Sequence, residues 1–239
     1  MRKLKYHTPP ADISMRGIIQ IAGVADRVEA MMLVEAGVHQ LGFPFGLTVH
    51  KEDMPVEDAA PIIRLLKPPA SAVLITYLNT AEKILDLCKK IGTHKVQLHG
   101  AISLTEIARL KSLAPDLTII KSLIVEDNNL AQLESSVAAF GPHCDAFITD
   151  TYDPAIGACG ATGKTHDWDI SRRLCDISPR PVMLAGGLNP ENVCKAIAHV
   201  RPAGVDAHTG VEGPDGRKDA ALIRAFVREA LAAFQNSSP

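Results

Sequence analysis

Polar side chains able to do chemistry recur in this sequence at one kind of place, the point where a short apolar run stops. Gln20, Thr76, His99, Lys121, Asp150, Asp206, His208 and Thr209 all occupy such positions. Carboxyl and imidazole groups placed there can serve as general acids and bases. Asp150 ends the run Ala146-Phe147-Ile148-Thr149-Asp150 just before a glycine-rich stretch, which favours an acid–base role over a helix cap or a salt bridge. His99 either meets a substrate or bonds backbone carbonyls under a rim. Three roles are open to His208: a phosphate contact, an acid or base, or a solvated loop residue.

Two glycine turns flank these residues. The run Val182-Met183-Leu184-Ala185 stops at Gly186-Gly187, and Asn189-Pro190-Glu191 then reads as a helix start, with Asn189 as N-cap and Pro190 in the first turn. The pattern returns in Ala203-Gly204-Val205-Asp206-Ala207-His208-Thr209-Gly210. Glycine lets the backbone approach a ligand, and a helix start offers N–H groups and a positive dipole end to an anion. Gly186, Gly187, Thr209 and Gly210 are therefore the candidate phosphate cradle, with Gln20 and His99 as further substrate contacts. The segment Gly157-Ala158-Cys159-Gly160-Ala161-Thr162-Gly163-Lys164-Thr165 approaches a Walker A loop, but Ala158 stands where that motif needs its first glycine. None of the nine histidines forms a His-x-x-x-His pair, so neither a metal nor a cofactor is expected.

These residues need a scaffold that brings strand ends together. Eight apolar runs carry them, at residues 17–23, 38–43, 72–78, 94–100, 117–123, 146–150, 182–185 and 203–207. Helical patterns follow each run, as at residues 26–36, 80–91 and 219–234. Runs that are apolar throughout, not alternating, indicate parallel strands covered on both faces. Eight such units without a dinucleotide fingerprint predict a single α/β (β/α)8 TIM barrel, parallel and eight-stranded, over residues 17–239. Residues 1–16, with Pro9-Pro10, read as an irregular N-terminal arm.

Composition narrows the partners. The 239 residues are 46% hydrophobic and 22% charged, with a net charge of −2, which gives no electrostatic case for nucleic acid or an anionic membrane. Five scattered cysteines without a CxxC pair argue for reduced thiols and a cytoplasmic setting. The N-terminus lacks the apolar stretch of a signal peptide, and no run is long enough to span a bilayer. The expected partner is a small phosphorylated sugar, in a monomer or homodimer.

Four segments carry a family resemblance. They are Gln97-Leu98-His99-Gly100, Thr162-Gly163-Lys164-Thr165-His166-Asp167-Trp168, Leu184-Ala185-Gly186-Gly187-Leu188-Asn189-Pro190-Glu191-Asn192-Val193 and Arg201-Pro202-Ala203-Gly204-Val205-Asp206. Together with Gly210-Val211-Glu212 and Lys218-Asp219 they resemble the phosphoribosylanthranilate isomerases of tryptophan biosynthesis, from about residue 18 to residue 234. The resemblance implies an Amadori rearrangement. A general acid opens the ribose ring to a Schiff base, and a general base removes the C2 proton to give an enolamine and then a ketose. Asp150 occupies the place of the family's acid.

The family's base does not carry over. It is a cysteine ending the first strand in a Lys-Ile-Cys-Gly motif, and this chain has Gln20-Ile21-Ala22-Gly23. The family's arginine for the anthranilate carboxylate is also missing; Lys51 or Glu52 stands there, depending on where the gap is placed. The Ser-Ser-Gly of the eighth turn is His208-Thr209-Gly210. All three departures fall on the substrate side. The leading expectation is a diverged phosphosugar isomerase with Asp150 as acid and His208 as a replacement base, acting on an altered substrate. An ordinary family isomerase using another base, a non-catalytic phosphosugar-binding protein, and an epimerase or Schiff-base aldolase using Lys121 are the alternatives.

Overall fold

A computed structural model describes residues 16–47, 52–153, 158–159, 163 and 165–236. Eight parallel strands form a closed ring: β1 (Ile18–Ala22), β2 (Gln40–Phe45), β3 (Ser71–Thr76), β4 (Lys95–Leu98), β5 (Thr118–Val125), β6 (Ala146–Asp153), β8 (Val182–Leu184) and β9 (Gly204–Ala207). The β5–β6 pairing, from Ile120↔Ala146 to Val125↔Thr151, joins the two halves, and Ile18↔Gly204 to Ile21↔Ala207 seals β9 against β1. Helices α1 (Arg27–Glu35), α2 (Val56–Ile63), α3 (Ala81–Ile91), α4 (Leu104–Leu113), α5 (Leu130–Phe140), α6 (Trp168–Ile177), α7 (Val193–Val200) and α8 (Ala220–Asn236) follow the strands in turn. The chain is thus the (β/α)8 barrel that its eight apolar runs predict.

Side chains alternate across each strand, so one set fills the barrel and the other packs under the helices. Ala22, Val73, Ile75, Ile120, Ala146, Ile148, Met183 and Ala185 form the inner cluster, and a larger cluster between sheet and helices includes Ile19, Ile21, Ile119, Phe147, Leu184 and Val205. Residues on the inner register, such as Gln20, Asp150 and Asp206, are buried without being part of the apolar packing.

Two local features depart from the sequence reading. A two-residue strand, β7 (Ala158–Cys159), runs antiparallel to the end of β6 through Tyr152↔Cys159 and Asp153↔Ala158, where only a loop is expected. Helix α7 starts at Val193 with Asn192 as its cap, three residues later than Asn189-Pro190 imply. Asn189 instead caps a turn: its Oδ1 accepts from the N–H groups of Glu191 (2.9 Å) and Asn192 (3.1 Å), while Asn192 Oδ1 accepts from Asn189 N (2.9 Å). The reciprocal asparagines consume N–H groups that the sequence reading offers to an anion. The 1–16 arm, apart from Arg16, and Lys51 lie outside the described residues.

Candidate active site

The C-terminal rim of the barrel holds a small cleft lined by Asp150, Gly186, Gly187, Asp206, His208, Thr209 and Gly210, together with Gly163, Leu188 and Ala207. Asp150, His208, Gly186, Gly187, Thr209 and Gly210, all singled out in the sequence, therefore meet in one place. The strand register explains it. Asp206 and His208 are two residues apart and share a face of the β9 run, and Asp150 lies in the C-terminal half of β6, one strand beyond β8. Thr209 and Gly210 lie in the short 3-10 turn Thr209–Val211. Gly210 must be glycine, because a Cβ there would fall on the carbonyl oxygen of Leu188.

Gln20 and His99 do not line this cleft. They lie beneath and beside it in a buried polar relay. Gln20 Nε2 donates to Gln97 Oε1 (2.8 Å), Gln97 Nε2 lies 3.5 Å from Ser122 Oγ, and Ser122 Oγ is 3.1 Å from His99 Nδ1. The His99 ring stands edge-on to Tyr77, with centroids 5.0 Å apart. Its influence reaches the cleft electrostatically, since burial pushes the Asp150 carboxyl up while His99 and the Thr151 N–H pull it back. Asp206 is raised further, by burial first and then by the facing Asp150 carboxylate, with Gln20 and Lys218 opposing. Two carboxyls facing each other in a site this dry favour the proton-bearing form that a general acid requires.

His208 crosses from β9 to the end of β1. Its imidazole occupies the space over Gly23, where any Cβ would overlap Nε2 and Cδ2. Gly23 has φ +81°, a left-handed conformation that favours glycine as well. The ring therefore sits one residue past Ala22, whose methyl group belongs to the inner-face cluster. Nδ1 of His208 lies 3.3 Å from Glu212 Oε1. Lys121, by contrast, is on the outer register of β5, between inner-facing Ile120 and Ser122. Its ammonium donates to the carbonyls of Leu98 (3.1 Å), Gly100 (3.2 Å) and Ser122 (2.9 Å), away from the cleft, so the aldolase reading loses its only lysine. Burial draws that amine down to about 8.

A second relay braces the Gly186 turn. Ser171 Oγ donates to Thr149 Oγ1 (3.1 Å), so it accepts from His166 Nε2 (2.6 Å); His166 Nδ1 then accepts from Thr151 Oγ1 (2.9 Å). Hydrogen-bond bookkeeping thus assigns a neutral ring protonated at Nε2, in keeping with burial that lowers His166 to about 4. Thr151 Oγ1 and His166 Nδ1 press against Gly186, at φ +90°, and leave no room for a Cβ. Sequence reasoning placed Asp206 at a run end without giving it a role, and it did not select His166. The i, i+2 spacing of Asp206 and His208 was the available signal for one, whereas His166 owes its role to a fold contact fifteen residues away in sequence from Thr151.

Among the described residues, no group of three or more His, Cys, Asp or Glu is placed to hold a metal ion, and no helix is long and apolar enough to cross a membrane.

Known proteins match the whole barrel. The sequence model of the family N-(5'phosphoribosyl)anthranilate (PRA) isomerase matches residues 19–229. N-(5'-phosphoribosyl)anthranilate isomerase 2 of Methanosarcina mazei is 37% identical over 213 residues, which is 89% of this chain and 93% of that one. The crystal structure of phosphoribosyl anthranilate isomerase from Thermotoga maritima superposes with a TM-score of 0.76 at 31% identity, covering 90% of this chain and 98% of that one. A phosphoribosyl anthranilate isomerase solved in complex with reduced 1-(o-carboxyphenylamino)-1-deoxyribulose 5-phosphate gives a TM-score of 0.74 at 28% identity, with 90% and 98% covered. By fold, by motif and by identity along the whole barrel, the chain belongs to the N-(5'-phosphoribosyl)anthranilate isomerase family.

Proposed function

We propose that this isomerase rearranges a phosphorylated pentose derivative from aldose to ketose, with Asp150 as general acid and His208 as general base. The observation that carries this reading is the seat of the His208 imidazole over Gly23, beside Ala22, where the family motif has its cysteine. Asp150, in its proton-bearing form, protonates the ribose ring oxygen and opens the ring to a Schiff base. His208 Nε2 then takes the C2 proton. The C–H electron pair becomes the C1=C2 bond, the C1=N pair returns to nitrogen, and tautomerisation of the enolamine yields the C2 ketone. The phosphate rests on the turns at Gly186-Gly187 and Thr209-Gly210. Asp206 Oδ1 has no hydrogen-bond partner among the described residues and faces the same cleft, where a sugar hydroxyl would satisfy it.

The distal half of the substrate is where this chain departs from its relatives. Glu52 Oε1 accepts from Gly46 N (2.9 Å) and turns a carboxylate into the loop after β2. An anion there does not favour an anthranilate carboxylate, so the reading includes a substrate whose distal group is not a carboxylate. The alternative, turnover of phosphoribosylanthranilate itself on the His208 base, is favoured by the 37% identity to a relative of that name. Steady-state assays with freshly generated phosphoribosylanthranilate, beside Asp150→Asn and His208→Ala, separate the two. Turnover that depends on both residues supports the alternative. No turnover, with inorganic phosphate still binding and that binding weakened by Gly210→Ala, supports an altered substrate. Turnover that survives His208→Ala removes the base assignment in either case.

A further inference from the structure

His208 does not stand alone. Its Nδ1 faces Glu212 Oε1 at 3.3 Å, an electrostatic contact without the angles of a hydrogen bond. The same Glu212 oxygen receives Lys218 Nζ at 2.6 Å, and Lys218 Nζ also reaches the His208 carbonyl at 3.3 Å. Lys218 is held in turn: its side chain is 1% exposed, its N–H donates to Glu29 Oε1 (2.9 Å), and a bridge pairs Glu212 with Lys218 across the turn. The carboxylate is thus fixed from behind by a buried cation, and its forward edge faces the imidazole.

We infer that Glu212 is a positioning residue for His208, holding the proton on Nδ1 so that the basic lone pair lies on Nε2, the nitrogen over the β1 end. A neutral imidazole donates from one nitrogen and accepts at the other, and the partner of the donor decides which. Among the described residues that line the cleft with it, the other titratable groups are Asp206 on β9 and Asp150 on β6. Where the family has serine in this turn, a glutamate at this spacing has no imidazole to orient, so the pairing belongs to this chain's own His208. The inference rests on His208 as the base, and the opposite tautomer, with Nε2–H toward the cleft, is what a phosphate contact would need.

Long-range 1H–15N spectra of the imidazoles read the tautomer directly in the intact protein, with His208 assigned by His208→Gln. The expected result is an Nδ1–H, Nε2-acceptor signature that persists with inorganic phosphate present. A dominant Nε2–H signature would overturn the inference, and this measurement needs neither turnover nor a substitution at Glu212. Glu212→Gln, read the same way, is expected to lose that tautomer bias; an unchanged spectrum counts against Glu212. In turnover assays, Glu212→Gln should lower kcat by up to about 10²-fold with KM nearly unchanged, and it should add nothing to His208→Ala. Loss of activity in His208→Ala with full activity and an unchanged spectrum in Glu212→Gln would remove Glu212 and leave the base in place. Full activity in His208→Ala would remove the base, whatever the tautomer.

Discussion

His208 and Gly23 fit as plug and socket: the imidazole of one fills the volume that a Cβ on the other would need. The two residues directly follow the last and first strands of the barrel, and the β9–β1 pairing brings them together. Gly23→Ala therefore strikes twice. A left-handed alanine costs about 1 kcal/mol or more, and the displaced ring loses its place beside Ala22. Displacing a catalytic group by about 1 Å can cost on the order of 10²-fold in rate. The expected outcome is a folded variant with kcat reduced by about that factor. Wild-type kcat in Gly23→Ala would show that the seat over β1 does not matter.

The barrel was readable because its strands are buried on both faces and so appear as apolar runs between helical patterns. The cleft was readable in part, for a reason visible in Asp150 and His208: both end such a run, and in a parallel barrel all run ends share one rim. What sequence spacing does not contain is the ring closure itself. Only the pairing of β9 with β1 puts His208 on Gly23, and only the packing of α6 under the rim puts His166 on Thr151. The misplaced start of α7 has a local cause. Asn189 and Asn192 satisfy each other's backbone, so the expected cap opens a turn, and the helix waits three residues.

Asp150→Asn separates catalysis from stability. The carboxyl is held above its ordinary range, chiefly by burial. A carboxyl raised on folding contributes stability below its unfolded value that is lost as pH rises through the folded value. As pH rises above the unfolded value the wild type incurs a growing cost for keeping this carboxyl in its buried site, and asparagine, which keeps an oxygen for the Thr151 N–H, does not. Activity is expected to fall by about 10²–10⁴-fold while the melting temperature at pH 7 to 8 equals or exceeds that of the wild type, the gap widening with pH. A variant both inactive and markedly less stable would mean that Asp150 serves the fold.

His166 predicts an acid limit. Buried and neutral, it is lowered to about 4, whereas an unfolded histidine titrates near 6.5. Between those values the unfolded chain binds a proton that the native chain refuses, so stability falls as pH falls, by about 1.4 kcal/mol per unit. His166→Gln removes the titration. Chemical denaturation of the two proteins from pH 7 to pH 4 should show the wild type losing ground to the variant below pH 6.5. Parallel stability curves would place the acid sensitivity elsewhere.

The last prediction puts the family's base back. Ala22 is 7% exposed, and its methyl points into the barrel among Val73, Ile75 and Ile148, so a sulfur added there enters the space that the His208 ring approaches from above. Added volume in a packed interior costs about 1–3 kcal/mol, which a folded barrel of this size survives. In the His208→Ala background the ring is gone and the thiol has room. If the C2 proton is removed at the end of β1, Ala22→Cys should raise turnover of phosphoribosylanthranilate at least about tenfold above His208→Ala alone, with an alkaline optimum set by the thiol. Ala22→Ser in the same background, isosteric but a far weaker base, should restore nothing. Equal failure of cysteine and serine, alongside a wild type that still depends on Asp150, would mean that the proton leaves from another side of the cleft. His208 would then be a phosphate contact after all.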